Sequence, residues 1–446
     1  MATKVKDANG SEFTLKKADF NFVQNHTKIF DKELDTKPTT FIKDAFRRFC
    51  KNKSSVVGAI IIGIIILLAI LVPAISPYNI NSPHPSETLL TPKLFESGTG
   101  FWDGTKTVKD IAYDTETNLP VGFDNPNAIS NLETYEKDGV IYATFTYDKY
   151  EDKYGERVRE IPKTYLNSYI ESGYCTFDFV NIDSFEILDD KCPVRSISSI
   201  NESGRIIAVV SEYRYLGYDK MPKYLFGTDN LGRDIVKRSF MGLRYSLVFA
   251  TCITTVCFLF GLVWGSCSGY FGGNVDLFME RFMDILGGIP LIVIVTLFRL
   301  HLGDRLWVFA LALCITGWMG TASRTRTQFY RFKGREYILA SRTLGASDTR
   351  LIFRHILPNA LGTIVTSSVL MIPSLIFTES TLSYLGLGLN GSNSFGNILS
   401  DNQAYLQTYP ALIVFPSVII SLLMISFNLF GNGLRDALNP SLKGSD

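Results

Sequence analysis

Cysteine and histidine are the first residues to weigh for chemistry here. Cys252, Cys257, Cys267 and Cys314 lie in apolar runs, where cysteine behaves as a small hydrophobe. No CxxC occurs and the four histidines are scattered, so a zinc or dithiol redox centre is not expected. Cys175 and Cys192 share one polar segment. They either pair in an oxidising compartment or remain free thiols. No GxxxxGK[ST] phosphate loop, HExxH or GxSxG is present, so neither ATP binding of that kind nor hydrolysis is expected of this chain. The chain reads as a non-enzyme that binds no cofactor of its own.

What remains is a concentrated basic segment at 324–358. It carries Arg324, Arg326, Arg331, Lys333, Arg335, Arg342, Arg350 and Arg354 against Glu336 and Asp348. Within it, 337–344 has helical character, and Gly345 suits the left-handed cap that ends such a helix. Ser347 or Asp348 can then cap a second helix over 351–357, which Pro358 is expected to break. The result is a compact knob offering Tyr337, Leu339 and Leu344 inside an arginine rim, the composition of a docking surface. The alternative is that these arginines only fix membrane topology.

The elements that must hold this knob are membrane spans, each needing roughly 20 mostly apolar residues. Charge-free runs at 56–75, 245–270, 306–322, 360–378 and 409–430 meet that requirement. The run 285–298 is shorter, and Gly287, Gly288 and Pro290 interrupt its start. Six spans place the basic stretch before the first span on the same side as the 324–358 loop. By the positive-inside bias that side is the cytosol, and both termini lie there. A cleavable signal peptide is not expected, since 53 polar, charge-rich residues precede the first apolar run. The net charge of +1 and the absence of a continuous basic field exclude a nucleic-acid partner.

The chain therefore divides into a cytosolic segment 1–54 with an amphipathic basic helix and a first span 55–76. An extracytoplasmic insertion at 77–223 follows, then the permease-like region 224–434 and a cytosolic tail 435–446. The insertion has a Pro-rich lead-in at 76–92 and strand signals at 138–147, 174–180 and 206–210. Gly261, Gly265 and Gly269 stand four apart, lining one helical face so that a neighbour can approach closely, whether inside the subunit, on a partner or along a path. Glu379 is an acid near the outer end of the fifth span, where interfacial solvation and a substrate role compete. Asp229, Arg233 and Asp234 read as an exposed ion-pair cluster, and Arg281 with Asp284 as a brace for the knob.

The basic loop resembles the EAA loop of ABC importer permeases. Leu339-Ala340-Ser341 occupies the E-A-A place, Gly345 the glycine, and Leu357-Pro358 the closing pair. Leu339 and Ser341 depart from that pattern, leaving Glu336 as the nearby carboxylate. Phe226-Gly227-Thr228-Asp229 with Gly232-Arg233-Asp234, Gly269-Tyr270-Phe271-Gly272-Gly273, Glu379-Ser380-Thr381-Leu382 and Gly431-Asn432-Gly433-Leu434-Arg435-Asp436 resemble further signatures of oligopeptide and dipeptide permeases, nearest the second, C-type subunit. The resemblance covers roughly 41–78 and 224–443.

It implies an all-α polytopic membrane protein of about six transmembrane helices, ABC type I importer-like, with an inserted extracytoplasmic β-rich domain. It further implies a subunit of the bacterial inner membrane that moves peptides into the cytosol. The implied partners are a second permease subunit in a heterodimer, two ATP-binding subunits that use ATP and Mg, an extracytoplasmic peptide-binding lipoprotein and membrane lipid. Transport of nickel or another small solute is the alternative. A membrane receptor or sensor is more remote, because so few residues follow Leu434. An ATP-independent transporter would show internal repeats and charged spans, and neither is evident.

Overall fold

Apolar runs of spanning length become helices because each backbone polar group in lipid must be paired within its own segment. The computed structural model describes residues 3–6, 12–15, 41–78, 80, 87–95, 102–201, 204–388 and 393–438. The first 47 residues form one unit, whose β1 (Thr3–Lys6) and β2 (Glu12–Leu15) pair antiparallel. Helix α1 (Phe41–Lys51) carries Arg48 and Lys51 in its last turn. The second unit runs from Arg48 onward. It starts on α2 (Lys53–Ile75).

The insertion follows. In it β3 (Thr105–Asp114), β4 (Leu119–Pro120), β5 (Ile129–Lys137) and β6 (Val140–Asp148) form a sheet of order β4-β3-β6-β5. Asp138 and Gly139, both at positive φ, make the two-residue turn that joins β5 to β6. Then come α3 (Lys149–Tyr154), β7 (Glu156–Ile161), α4 (Lys163–Glu171), β8 (Cys175–Thr176), β9 (Glu186–Ile187), β10 (Val194–Ile200), β11 (Ile206–Ser211) and α5 (Glu212–Tyr215). A second sheet has the order β10-β11-β7. Along β11 Ile206, Ala208 and Val210 point inward, a period of two that buries one sheet face. The strand expected at 174–180 shrinks to Cys175–Thr176. The Asp178 carboxylate accepts from Val180 N at 3.0 Å, a local turn that competes with sheet pairing.

The lead-in at 76–92 is only partly described, since 79 and 81–86 lie outside the described residues. Its end is core rather than linker. Leu90 is buried with Tyr150, Tyr154 and Tyr224, and Tyr224 OH donates to Glu87 at 2.8 Å. Lys149 Nζ donates to Tyr409 OH at 2.8 Å, and Lys106 Nζ lies 4.5 Å from the centre of the Tyr409 ring. The insertion is therefore fastened to the helix bundle at Tyr409.

The bundle comprises α6 (Ile235–Phe271), α7 (Gly273–Gly287), α8 (Leu291–Leu302), α9 (Leu306–Gly317), α10 (Met319–Lys333), α11 (Glu336–Thr343), α12 (Asp348–Arg350), α13 (Leu357–Val369), α14 (Met371–Tyr384), α15 (Phe395–Asn402) and α16 (Ala411–Leu438). Among the described residues, five helical segments are long and apolar enough to cross a membrane: Lys53–Ile75, Ile235–Phe271, Leu306–Lys333, Asp348–Tyr384 and Ala411–Leu438. A sixth arises if α7 and α8 count as one span bent by 75°. The third span is thus a broken pair. The bend falls at Gly287-Gly288-Ile289-Pro290, where glycine freedom and a missing N–H end one helix and start another.

Several boundaries move. The second span begins ten residues earlier than its apolar run, at Ile235. The fourth extends to Lys333, which puts Arg324, Arg326 and Arg331 on helix rather than loop. The last helix continues through Leu438, into the stretch read as a tail.

Gly261, Gly265 and Gly269 all face α10. A Cβ on them would lie 2.6 Å from Trp318 O, 2.2 Å from Ala322 O and 2.6 Å from Phe329 Cβ. The stripe is a packing seam inside the chain. Likewise a Cβ on Gly58 of α2 would meet Ser426 O of α16 at 2.7 Å. Replacing Gly265 by Leu is expected to cost about 1–3 kcal/mol of overpacking and to lower the thermal unfolding midpoint in detergent. Gly63→Leu, whose Cβ meets nothing within 4 Å, should leave it unchanged. Equal melting of the two variants would refute the seam.

Cys175 and Cys192 are free, buried thiols. Burial, with the Cys192 thiol beside it, pushes Cys175 up to about 12. The folded state thus holds the proton more tightly, and the stability contributed by this thiol falls as pH climbs above the ordinary thiol range near 8.5. At pH 8 iodoacetamide should modify exposed Cys50 long before Cys175. Comparable labelling of the two in the folded protein, read by peptide mass spectrometry, would disprove this.

Candidate functional site

The knob grows out of the inner end of α10. Arg335 N donates to Phe332 O at 3.0 Å, turning the chain into α11. The helix stops at Gly345, whose φ of +83° is left-handed. Gly345 N donates to Arg342 O at 3.0 Å and Ala346 N to Ser341 O at 3.1 Å, the paired bonds of a Schellman cap. Ser347 Oγ accepts from Arg350 N and starts the second limb. That limb is helical from Asp348, wound wide over Leu351–Ile356 with i→i+5 bonding, and continuous with α13.

Pro358 does not break it. The wide i→i+5 winding of Leu351–Ile356, in which Leu357 N reaches back to Ile352 O, carries the helix past the proline's missing N–H.

The two limbs are amphipathic. Ile338, Leu351 and Ile356 are fully buried on Phe329 and Tyr270. On the opposite side Tyr337, Leu339 and Leu344 are exposed, Leu344 by 88 %, together with Glu336 and Ala340, while Ser341 is half-buried. Phe353, on the second limb, is 59 % exposed. The sequence places it on that helix without assigning it a face. Burial raises the Tyr337 hydroxyl, whose oxygen accepts from Asn359 Nδ2 at 3.3 Å. A cavity of about 760 Å³ opens beside Glu336, Tyr337 and Asn359.

Tyr270 ties the limbs together. Its hydroxyl donates to the Asp348 carboxylate and accepts from Arg342 Nη2 at 3.1 Å. Behind it, Asp276 braces three helices. It receives Arg326 Nη2 at 2.6 Å, Tyr330 OH at 2.7 Å and the Ser268 hydroxyl. Arg281 and Asp284, read as the brace, pair only with each other at 2.9 Å on the surface of α7. The segment expected as a loop is helix, and its helical phase turns Asp276 inward and Arg281 out.

Glu379 is 4 % exposed and not solvated at an interface. It accepts from Ser246 Oγ and Ser383 Oγ, each at 3.0 Å. The charge-bearing group is satisfied by hydroxyls from α6 and its own helix, which makes it a packing element of α14 against α6.

The Asp229 cluster is likewise interior rather than exposed. Asp229 is fully buried and Arg238 is 2 % exposed. They lie 2.7 Å apart, with Arg233 Nε 2.8 Å from the same carboxylate. Arg238 reaches on to Asp401 of α15. Asp234 instead caps α6, accepting from Val236 N and Lys237 N at 3.2 Å, while burial pushes its carboxyl up to about 6. Breaking a buried pair from one side leaves a charge without compensation. Arg238→Met is therefore expected to cost about 3 kcal/mol, and pairing it with Asp229→Asn to recover part of the loss in chemical unfolding. A neutral single substitution would contradict the buried network.

Residues 258–444 match the family described as binding-protein-dependent transport system inner membrane component. Residues 40–92 match the N-terminal TM domain of oligopeptide transport permease C. The oligopeptide transport system permease protein OppC of Bacillus subtilis is 43% identical over 231 residues, covering 51% of this chain and 76% of that protein. The dipeptide transport system permease protein DppC of Lactococcus lactis is 38% identical over 229 residues, covering 51% and 67%. DppC of Bacillus subtilis is 40% identical over 220 residues, covering 49% and 69%. With the spanning helices and the Gly345 elbow in place, these likenesses identify the chain as a multi-pass membrane protein of the binding-protein-dependent transport family, in its oligopeptide permease C branch.

Proposed function

We propose that the chain is one of two permease subunits enclosing a path along which oligopeptides or dipeptides enter the cytosol. The observation that carries this reading is the elbow, an exposed apolar cap of Tyr337, Leu339 and Leu344 on a floor fixed by Tyr270, Phe329 and Ile338. Such a rigid, amphipathic projection has no use inside the chain and every feature of a docking element. Separate ATP-binding subunits, which use ATP and Mg, dock there and push. The push passes through Tyr270 into α6 and through the continuous helix Asp348–Tyr384 into the bundle.

In this reading both termini and the elbow face the cytosol, because the basic residues gather at that end. The insertion faces outward and contacts an extracytoplasmic peptide-binding lipoprotein or the partner permease. Its contacts with Tyr409, through Lys106 and Lys149, support a role in positioning such a partner. Peptide as the cargo rests on the relatives' activities.

A cysteine at Ala340 should cross-link to the ATP-binding subunit in a functional complex, while one at buried Ile338 should not. Gly345→Val forces a β-branched residue into left-handed backbone, costing roughly 1–2 kcal/mol or more. It should uncouple ATP hydrolysis from uptake of a labelled peptide, whereas Gly345→Asn, better tolerated at positive φ, should retain much of both. Absence of cross-links over several linker lengths, or coupled uptake by the Val variant, would count decisively against the elbow.

A further inference from the structure

A second cleft, largely apolar but carrying two arginines, lies at the elbow end of the bundle, between α10, α13 and α16. Its volume is about 320 Å³. Arg324 enters from α10 and Arg435 from the last turn of α16, while Thr327, Thr363 and Ser367 add hydroxyl groups. No carboxylate lines it, and Leu370 supplies its large apolar side chain. Gly362 of α13 stands close to the last turn of α16, where a Cβ would lie 3.3 Å from Leu438 O, so the three helices meet there.

The contrast with the neighbouring arginines is informative. Arg326, two residues from Arg324, is held by Asp276 and Glu280, and Arg238 by Asp229 and Asp401. Among the described residues neither Arg324 nor Arg435 is in an ion pair. Arg324 Nη1 donates only to Ser367 O, at 3.4 Å. Topology alone asks for basic residues at this end. It does not ask for two guanidinium groups from different helices to share one cleft. Like charges brought together repel unless an anion sits between them. The hydroxyls of Thr327 and Ser367 donate to carbonyls of their own helices, so the two guanidinium groups are what match the oxygens of a phosphate group, and their helix-borne positions pre-organise them.

We propose that this cleft binds a phosphate-bearing anion, either the headgroup of an anionic phospholipid at that face of the membrane or a soluble phosphate. The cleft shares no lining residue with the cavity beside Glu336, Tyr337 and Asn359, and its occupancy would hold α10, α13 and α16 together.

The test uses the full chain purified in detergent. Its melting temperature is measured with phosphatidylglycerol, with phosphatidylcholine, and with inorganic phosphate, and retained lipid is counted by native mass spectrometry. Phosphatidylglycerol, but not phosphatidylcholine, should raise the melting temperature. Arg435→Gln should weaken the half-effective concentration roughly tenfold, the loss of one charge-assisted contact. Arg435→Lys should restore part of it, and Arg331→Gln, the same charge change elsewhere on α10, should have no effect. A response to inorganic phosphate that Arg435→Gln abolishes would assign the site to the soluble anion instead. Because Arg435 is exposed, its substitution tests binding without threatening the fold. Equal responses of wild type, Arg435→Gln and Arg331→Gln would overturn the site, as would lipid retention that ignores headgroup charge.

Discussion

The close approach of α6 to α10 is the contact on which the rest of the chain depends. In lipid there is no hydrophobic force between helices, so they associate through van der Waals packing and backbone proximity. Three glycines remove every side chain from one face of α6, and the Trp318, Ala322 and Arg326 backbone fills the space. The seam runs directly into the elbow. Gly269 is followed by Tyr270, and Phe329 lies opposite, so the last contact of the seam is also the floor of the elbow. Any slide between these helices would displace that floor.

Buried charge is handled in the same economical way at both ends of the bundle. Asp276 at the elbow end and Asp229 at the opposite end each take arginines in short contacts while accepting further hydrogen bonds. Such clusters stabilise little by themselves, because desolvation offsets attraction, but they have one good geometry. They fix the register between helices that featureless apolar packing would leave loose. Glu379 performs a similar service in mid-bundle with serine hydroxyls.

The insertion meets the bundle through polar contacts as well as through the chain. Its sheets have their own apolar core around Ile161, Leu166 and Val210. Its lower edge is a tyrosine cluster, in which Tyr150, Tyr154 and Tyr224 bury large rings and place hydroxyls against Glu87 and the Thr91 carbonyl. Tyrosine suits such a boundary, having an apolar body and a polar tip.

The sequence alone determined the spanning segments, the glycine stripe and the elbow with its Gly345 corner. Each depends on local chemistry: continuous apolar length, a four-residue period, a residue able to take positive φ. It also carried the family motifs from which the permease resemblance was read. Tertiary structure decided what those local signals could not reach. It turned the presumed loop at 273–287 into helix, carried the chain through Pro358 without a break, and buried Asp229, Arg238 and Glu379. Whether a charge faces water or a partner depends on residues more than a hundred positions away, such as Asp401 for Arg238 and Ser246 for Glu379. Brace and docking face were likewise assigned by helical phase against neighbouring helices, which put Asp276 inside, Arg281 outside and Phe353 on the elbow's open surface.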